Sequence, residues 1–257
     1  MSRAAVALLT LLALLTFTLG ILSYMPATVL QWLPASAQIQ YRGLQGSIWQ
    51  GRVLQLQTPW LNLRNVSWQL SPWALLTGRA ALDIEVPVDN PVSGQLGVAL
   101  SLGQVTVEQA DLSGDIAMVA AQLPLRLPLP VSGSWHLQVS EYQLEDWRNG
   151  AAVCDTLNAR LQGEQLALQV NQQWQNLGDY QLQLSCRDDR ALQLEMAANN
   201  PLRLTVSGFI KPPQIALQGH LQPTSDVPTA ISDLLPYIGK PDAQGRYRFD
   251  VNFRMTR

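Results

Sequence analysis

Histidine and cysteine each occur only twice in the 257 residues, and charged residues make up only 14% of the chain. Two imidazoles, His136 and His220, do not supply a three-histidine metal site, and neither stands in an H-x-x-x-H or H-E-x-x-H spacing. Ordinary hydrogen-bonded roles on strands are expected for both. The G-x-S-x-G elbow, the Walker phosphate loop and the G-x-G-x-x-G dinucleotide fingerprint are missing as well. Glu141, Glu145 and Asp146 fall on alternating segments or turns, where solvation accounts for them. No catalytic residue, cofactor-binding residue or metal ligand is assigned, and a protein that is not an enzyme is expected. With 17 basic against 19 acidic residues and no basic run, the chain also lacks the electrostatic footprint of nucleic-acid binding.

Apolar residues, by contrast, reach 47%. Residues 4–22 form one uncharged run of Ala, Leu, Val, Ile and Phe with a few Thr and one Gly. As a helix it extends about 28 Å, close to the roughly 30 Å hydrocarbon core of a bilayer. Arg3 precedes it and the next cation is Arg42, so the positive-inside rule puts residues 1–3 in the cytoplasm and the rest in the periplasm of a two-membraned bacterium. A cleaved signal peptide ending at Ala35-Ser36-Ala37 is the alternative. That box lies far beyond the apolar run, and Tyr24, Met25, Leu30, Trp32 and Leu33 between them suit an interfacial segment. The expected division is a cytoplasmic tip 1–3, a transmembrane helix 4–22, a linker 23–37 and a periplasmic β domain 38–257.

Beyond Gln38 the pattern becomes alternation, the period of half-buried strands. It is clearest at 53–57, 61–70, 137–144, 180–185, 191–196, 202–206 and 247–255, with turn residues such as Asp89-Asn90-Pro91 and Asp188-Asp189 between. Glutamine fills many of the polar positions, which explains how so little charge solvates the surface. A mainly β fold follows, an antiparallel meander in sequence order. Helix is minor: Ser71-Pro72 offers a cap and an N1 proline, and 228–238 offers a second short stretch.

One local pattern recurs: apolar residue, Gln or Ser, Gly, any residue, apolar residue. It stands at 44–48, 92–96, 112–116, 131–135, 206–210 and 217–221. On a strand, the glycine shares a face with both apolar residues, so it removes a side chain from the buried side and lets the sheet bend into a trough or open barrel. The same glycines also fit turns between strands, and the two readings stand side by side. Segment 123–130, with three prolines, lacks the amide donors of a central strand and is read as an edge strand or a crossing between two halves of the domain, while Lys211-Pro212-Pro213 is read as a turn between strands and 211–214 also as a sheet edge. Of the eight tryptophans, mostly read as packing residues, Trp49 stands out because Gly46 and Gly51 flank it. A disulfide is expected between Cys154 and Cys186, since 32 positions accommodate one hairpin and the periplasm is oxidising. The alternative is two buried free thiols.

Two stretches resemble the type II secretion system protein N family. The first is Gly43-Leu44-Gln45-Gly46-Ser47-Ile48-Trp49-Gln50-Gly51, followed by Val66-Ser67-Trp68-Gln69-Leu70-Ser71-Pro72-Trp73; the second is Asp242-Ala243-Gln244-Gly245-Arg246-Tyr247. Gly46, Trp49, Gly51 and Pro72 are the positions that carry the family pattern, with Ser47-Ile48 where Thr-Leu is commoner. The resemblance implies a non-enzymatic inner-membrane accessory or scaffold, supporting export of folded proteins across the outer membrane and contacting other secretion subunits. The β architecture is also similar to that of AsmA-like envelope proteins, which implies a lipid or hydrophobic-cargo carrier as the alternative.

Overall fold

The computed structural model describes residues 3–32, 39–58, 61–122, 129–146, 152–224, 227–237 and 239–254. The N-terminal helix α1 runs through Arg3–Ser23, and its described side chains stand mostly exposed. On the described residues alone no helix is long and apolar enough to cross a membrane; side chains 3–8, 10, 15, 19 and 22 of α1 are not among them. Residues 25–32 after it are tied to the sheet. Pro26 bridges to Ser47, the Met25 carbonyl accepts from the Ile48 amide at 3.0 Å, and a 3-10 turn over Ala27–Trp32 follows, with Ala27 buried.

The strands among the described residues belong to one antiparallel sheet in strict sequence order: β1 (Gln40–Gly46), β2 (Gln50–Gln57), β3 (Asn62–Leu70), β4 (Ala80–Val86), β5 (Val92–Leu100), β6 (Gln104–Asp115), β7 (Val131–Glu145), β8 (Thr156–Val170), β9 (Gln173–Cys186), β10 (Leu192–Met196), β11 (Thr205–Lys211), β12 (Gln214–Leu221) and β13 (Tyr247–Arg254). The mainly β meander is therefore as expected, and the sheet is open, with β1 and β13 as its two ends. The accessible surface of 17295 Å² far exceeds the roughly 11,000 Å² of a compact monomer of this size, as an unpacked α1 and a single open layer require.

Short helices sit in the connections. In α2 (Pro72–Leu76) the Ser71 hydroxyl accepts from the Ala74 amide and Pro72 occupies the first turn, as the sequence implied. Residues 228–238 supply only α4 (Thr229–Ser232) and a 3-10 turn, Leu235–Tyr237. This connection packs on the β8–β9 and β12 end of the sheet, where Val170, Tyr180, Leu202, Leu221, Val227 and Ile231 form a buried cluster. A helix not foreseen, α3 (Ile116–Gln122), follows β6, with the Asp115 carboxylate accepting from the amides of Ala117 and Met118.

Of the two proline segments, 211–214 takes its turn reading and not its edge reading. Lys211 and Gln214 face each other across the tight turn joining β11 to β12, where Pro212-Pro213 need give no ladder donor; this is a hairpin tip inside the sheet order. Of segment 123–130, residues 123–128 lie outside those described, and the Pro130 carbonyl accepts from Gln169 beside β7. Among the described strands, the ends of the sheet are β1 and β13.

Candidate functional site

Register divides the sheet into two chemically distinct faces. Following cross-strand partners from β1 to β13 gives an unbroken polar row: Gln45, Arg52, Ser67, Glu85, Gln95, Asp111, Gln138, Arg160, Gln183, Glu195, Ser207, Gln218, Asp250. The neighbouring row, one residue along each strand and so on the opposite face, is Gly46, Gly51, Trp68, Ile84, Leu96, Ala110, Val139, Ala159, Leu184, Leu194, Gly208, Leu217, Val251. Not one polar side chain interrupts it.

The glycines of the apolar face fix the direction in which the sheet bends. Gly51, Gly114, Gly208 and Gly219 have ordinary strand backbones, yet a Cβ at any of them would run into a carbonyl of a neighbouring chain segment. Gly97, on the polar face, would meet only the Asp83 carboxylate at 3.2 Å and the Gln109 carbonyl at 3.7 Å. Backbone therefore closes over the apolar side at these glycines, and that side is the inner one. Large inner residues such as Leu96, Leu184, Leu194 and Leu217 are half-buried. A depression of about 620 Å³ lies over β1 to β6, and Gln45, Arg52, Ser67, Glu85 and Gln95 of the polar row are among its lining residues.

The four motif residues meet at one corner. Gly46 and Gly51 are register partners closing the β1–β2 turn, and Gly46 has φ +90°, a conformation that suits glycine. The Ser47 hydroxyl accepts from the amides of Trp49 and Gln50 at 3.3 and 3.2 Å, so a small hydroxyl residue locks the turn. The ring lying on Gly51 is that of Trp68 rather than Trp49, and its Nε1 donates to the Ile48 carbonyl at 3.2 Å. Trp49 instead contributes its carbonyl, which accepts from the Leu70 amide at 2.6 Å, just before Ser71 and Pro72. The corner thus ties the segment after α1, the β1–β2 turn and the β3–α2 junction together. Trp60 and Trp147 lie outside the described residues.

Cys154 and Cys186 are bonded, with Cα atoms 6.0 Å apart, as expected. Cys154 is fully buried and precedes β8, Cys186 ends β9, and the bridge closes the base of that hairpin. Around it Val153 donates its amide to the Arg190 carbonyl at 3.0 Å, and the Tyr142 hydroxyl donates to the Val153 carbonyl at 2.8 Å. The Arg190 guanidinium donates to Asp155 at 2.7 Å and, with the Glu145 amide, holds that carboxyl below its usual range against the opposing effect of desolvation. His136 is paired with Asp111 at 2.7 Å and His220 with the Thr205 hydroxyl at 2.8 Å. These are the hydrogen-bonded roles the sequence implied.

The two ends of the sheet differ. The 3-10 turn runs beside β1, and the Tyr41 hydroxyl donates to the Leu30 carbonyl at 3.1 Å. The far side of β13 has no strand beside it among the described residues, and its Val251 and Phe253 are exposed. β13 is entered from a turn built on Asp242. Desolvation works to raise that carboxyl, but the amides of Arg246 and Gln244 and the guanidinium groups of Arg246 and Arg248 outweigh it and bring it down to about 2. This is the second stretch that carried the family resemblance.

Comparison with known proteins agrees with that geometry. The family model for the type II secretion system (T2SS), protein N, matches residues 37–250. The type II secretion system protein N of Aeromonas hydrophila is 28% identical over 248 residues, 95% of this chain and 96% of that one. The protein of the same name from Vibrio cholerae serotype O1 is 24% identical over 238 residues, covering 90% and 91%. That of Pectobacterium carotovorum subsp. carotovorum is 24% identical over 243 residues, covering 94% of each. No solved structure matches. The chain belongs to the type II secretion system protein N family.

Proposed function

We propose that this chain is a non-catalytic inner-membrane subunit of the type II secretion system, anchored by α1 and working as an accessory or scaffold in the periplasm. Family membership carries the assignment to the machine. The anchor reading is supported by an uncharged run inside a helix of 21 residues, about 31 Å long and matched to a bilayer core. Arg3 in front of it supports a cytoplasmic N-terminus, and the Cys154–Cys186 bridge supports an oxidising compartment for the remainder. Partner binding by strand addition is supported by β13, whose outer edge has no strand beside it among the described residues.

Alkaline phosphatase fused after Arg257 is expected to be active in cells, and pull-down from envelope should recover other secretion subunits at moderately raised salt. Hydrogen-bonded strand addition is screened far less than surface ion pairs. An inactive fusion overturns the orientation. Loss of every partner by a few hundred millimolar salt, well past the roughly 8 Å screening length of physiological buffer, overturns the backbone-mediated mode.

A second reading, carriage of lipid or other hydrophobic cargo along the inner face, is favoured by the apolar row that crosses the whole sheet with half-buried leucines. Chain purified in mild detergent is then expected to retain phospholipid at about one molecule or more per chain, detected by native mass spectrometry, in line with an apolar patch above the usual few hundred Å². Lipid-free chain would remove this reading.

A further inference from the structure

The strands alternate in direction, so the β1–β2, β3–β4 and β5–β6 connections all emerge at the same end of the sheet. That is also the end where α1 joins it, through the Pro26–Ser47 bridge and the Met25–Ile48 hydrogen bond. Three observations make this end unlike the rest of the surface.

First, it is apolar and open to solvent. Trp73 and Leu76 of α2 are 78% and 79% exposed, Leu102 of the β5–β6 turn is 90% exposed, and Tyr24, one residue past α1, is 88% exposed. Secondly, the exposure is built in. Ser71 caps α2 and the amides of Thr77 and Gly78 close its far end, so a short rigid turn holds Trp73 and Leu76 outward instead of folding them onto the sheet. Thirdly, the charge is one-signed: across 47–49, 71–79 and 101–103 the only charged residue is Arg79, which is exposed. Carboxylates lie next to these turns but not in them: Glu108 and Glu141 share a depression with Arg79, and the Asp146 amide at the close of β7 donates to the Gly103 carbonyl at 2.7 Å. The opposite end of the same strands carries Asp89 in the β4–β5 connection and Asp115 at the close of β6.

Tryptophan, tyrosine and leucine backed by arginine, with no carboxylate in the three turns themselves, is the chemistry of a surface that sits in the headgroup region of an anionic bilayer. We infer that this end of the sheet is a second membrane contact, with Trp73, Leu76 and Leu102 in the interface of the same leaflet that α1 enters and Arg79 among the phosphates. The inference rests on the reading of α1 as an anchor. It sets the β1–β6 strands upright on the membrane, with the β4–β5 turn and α3 pointing away from it.

The test uses the full chain, because its two natural cysteines are bonded to each other and unavailable to thiol reagents. Trp73→Cys and Leu102→Cys give single reactive thiols at this end; Val88→Cys and Met118→Cys give them at the other, and all four positions are exposed, so packing is undisturbed. Each variant is labelled with an environment-sensitive fluorophore and reconstituted in vesicles of phosphatidylethanolamine and phosphatidylglycerol, some carrying doxyl-labelled chains. Labels at 73 and 102 are expected to be quenched by the doxyl lipid about three-fold more than labels at 88 and 118, as interfacial burial of roughly 5 to 10 Å requires. Equal quenching at both ends, in chain that resists alkaline carbonate extraction, overturns the contact and leaves the anchor standing. Release of the chain by carbonate overturns the anchor reading, and the contact with it.

Discussion

Replacing Gly208 by valine is expected to cost at least about 3 kcal/mol of unfolding free energy, the upper range for overpacking a filled site. The cost is steric, since the Gly208 backbone is that of an ordinary strand. Its absent side chain points to the inner face, where a Cβ would strike the Ala216 carbonyl and lie 2.8 Å from Leu217 Cα and 2.9 Å from Leu217 Cδ2. Leu194 and Leu217 are its partners on either side, and neither has room to retreat without opening the β10–β11 or β11–β12 ladder. Gly97→Ala is the control. It lies on the polar face, where a carboxylate can swing away, and alanine also reduces the freedom of the unfolded chain, so its effect should stay within about 0.5 kcal/mol. Urea denaturation of the detergent-solubilised chain, followed by tryptophan fluorescence, reads both as midpoint shifts. Matching midpoints for the two variants would show that the inner face is not bent inward as described.

That contrast also shows how far periodicity reaches. Alternation identifies which residues share a face, and one polar and one apolar row across the sheet are what the Gln-interleaved segments imply once each strand pairs with the next in sequence. The recurring glycine pattern left bend and turn equally open, because composition alone does not say where a strand ends. Both occur: Gly208 and Gly219 sit inside strands, whereas Gly46 closes β1 at a turn. The identity of the ring on Gly51 was not legible either. Trp49 is close in sequence, but Trp68 is its partner in register, and register depends on turn lengths that a single strand does not encode. Segment 211–214 shows the same limit, since proline excludes a central ladder position but does not distinguish an edge strand from a hairpin tip. α3 had a local signal, Asp115 ahead of Ile116-Ala117-Met118, obscured because Ile116 also completed the glycine pattern.

Removing the disulfide is expected to lower stability by roughly 3 to 4 kcal/mol, the chain-entropy value for a loop of this length. The bridge spans 32 positions and encloses the entire β8–β9 hairpin, so its loss frees the unfolded chain over a long loop. In the folded chain it also fixes residues 153–155. Once untied, the Val153 amide bond to Arg190, the Tyr142 hydroxyl bond to Val153 and the Asp155–Arg190 pair must hold that segment alone. The partly exposed ion pair adds little to such a task. Cys154→Ala with Cys186→Ala is the variant to use, because a single substitution would leave an unpaired thiol in the fully buried site. Its denaturation midpoint, compared with that of oxidised chain, should fall by the stated amount, and reductant should shift the natural chain equally while leaving the double variant unchanged. A double variant within about 1 kcal/mol of the natural chain would mean that the loop contributes far less than its length implies. Two thiols labelled in denatured chain that was never reduced would show that the bridge does not form in the envelope at all.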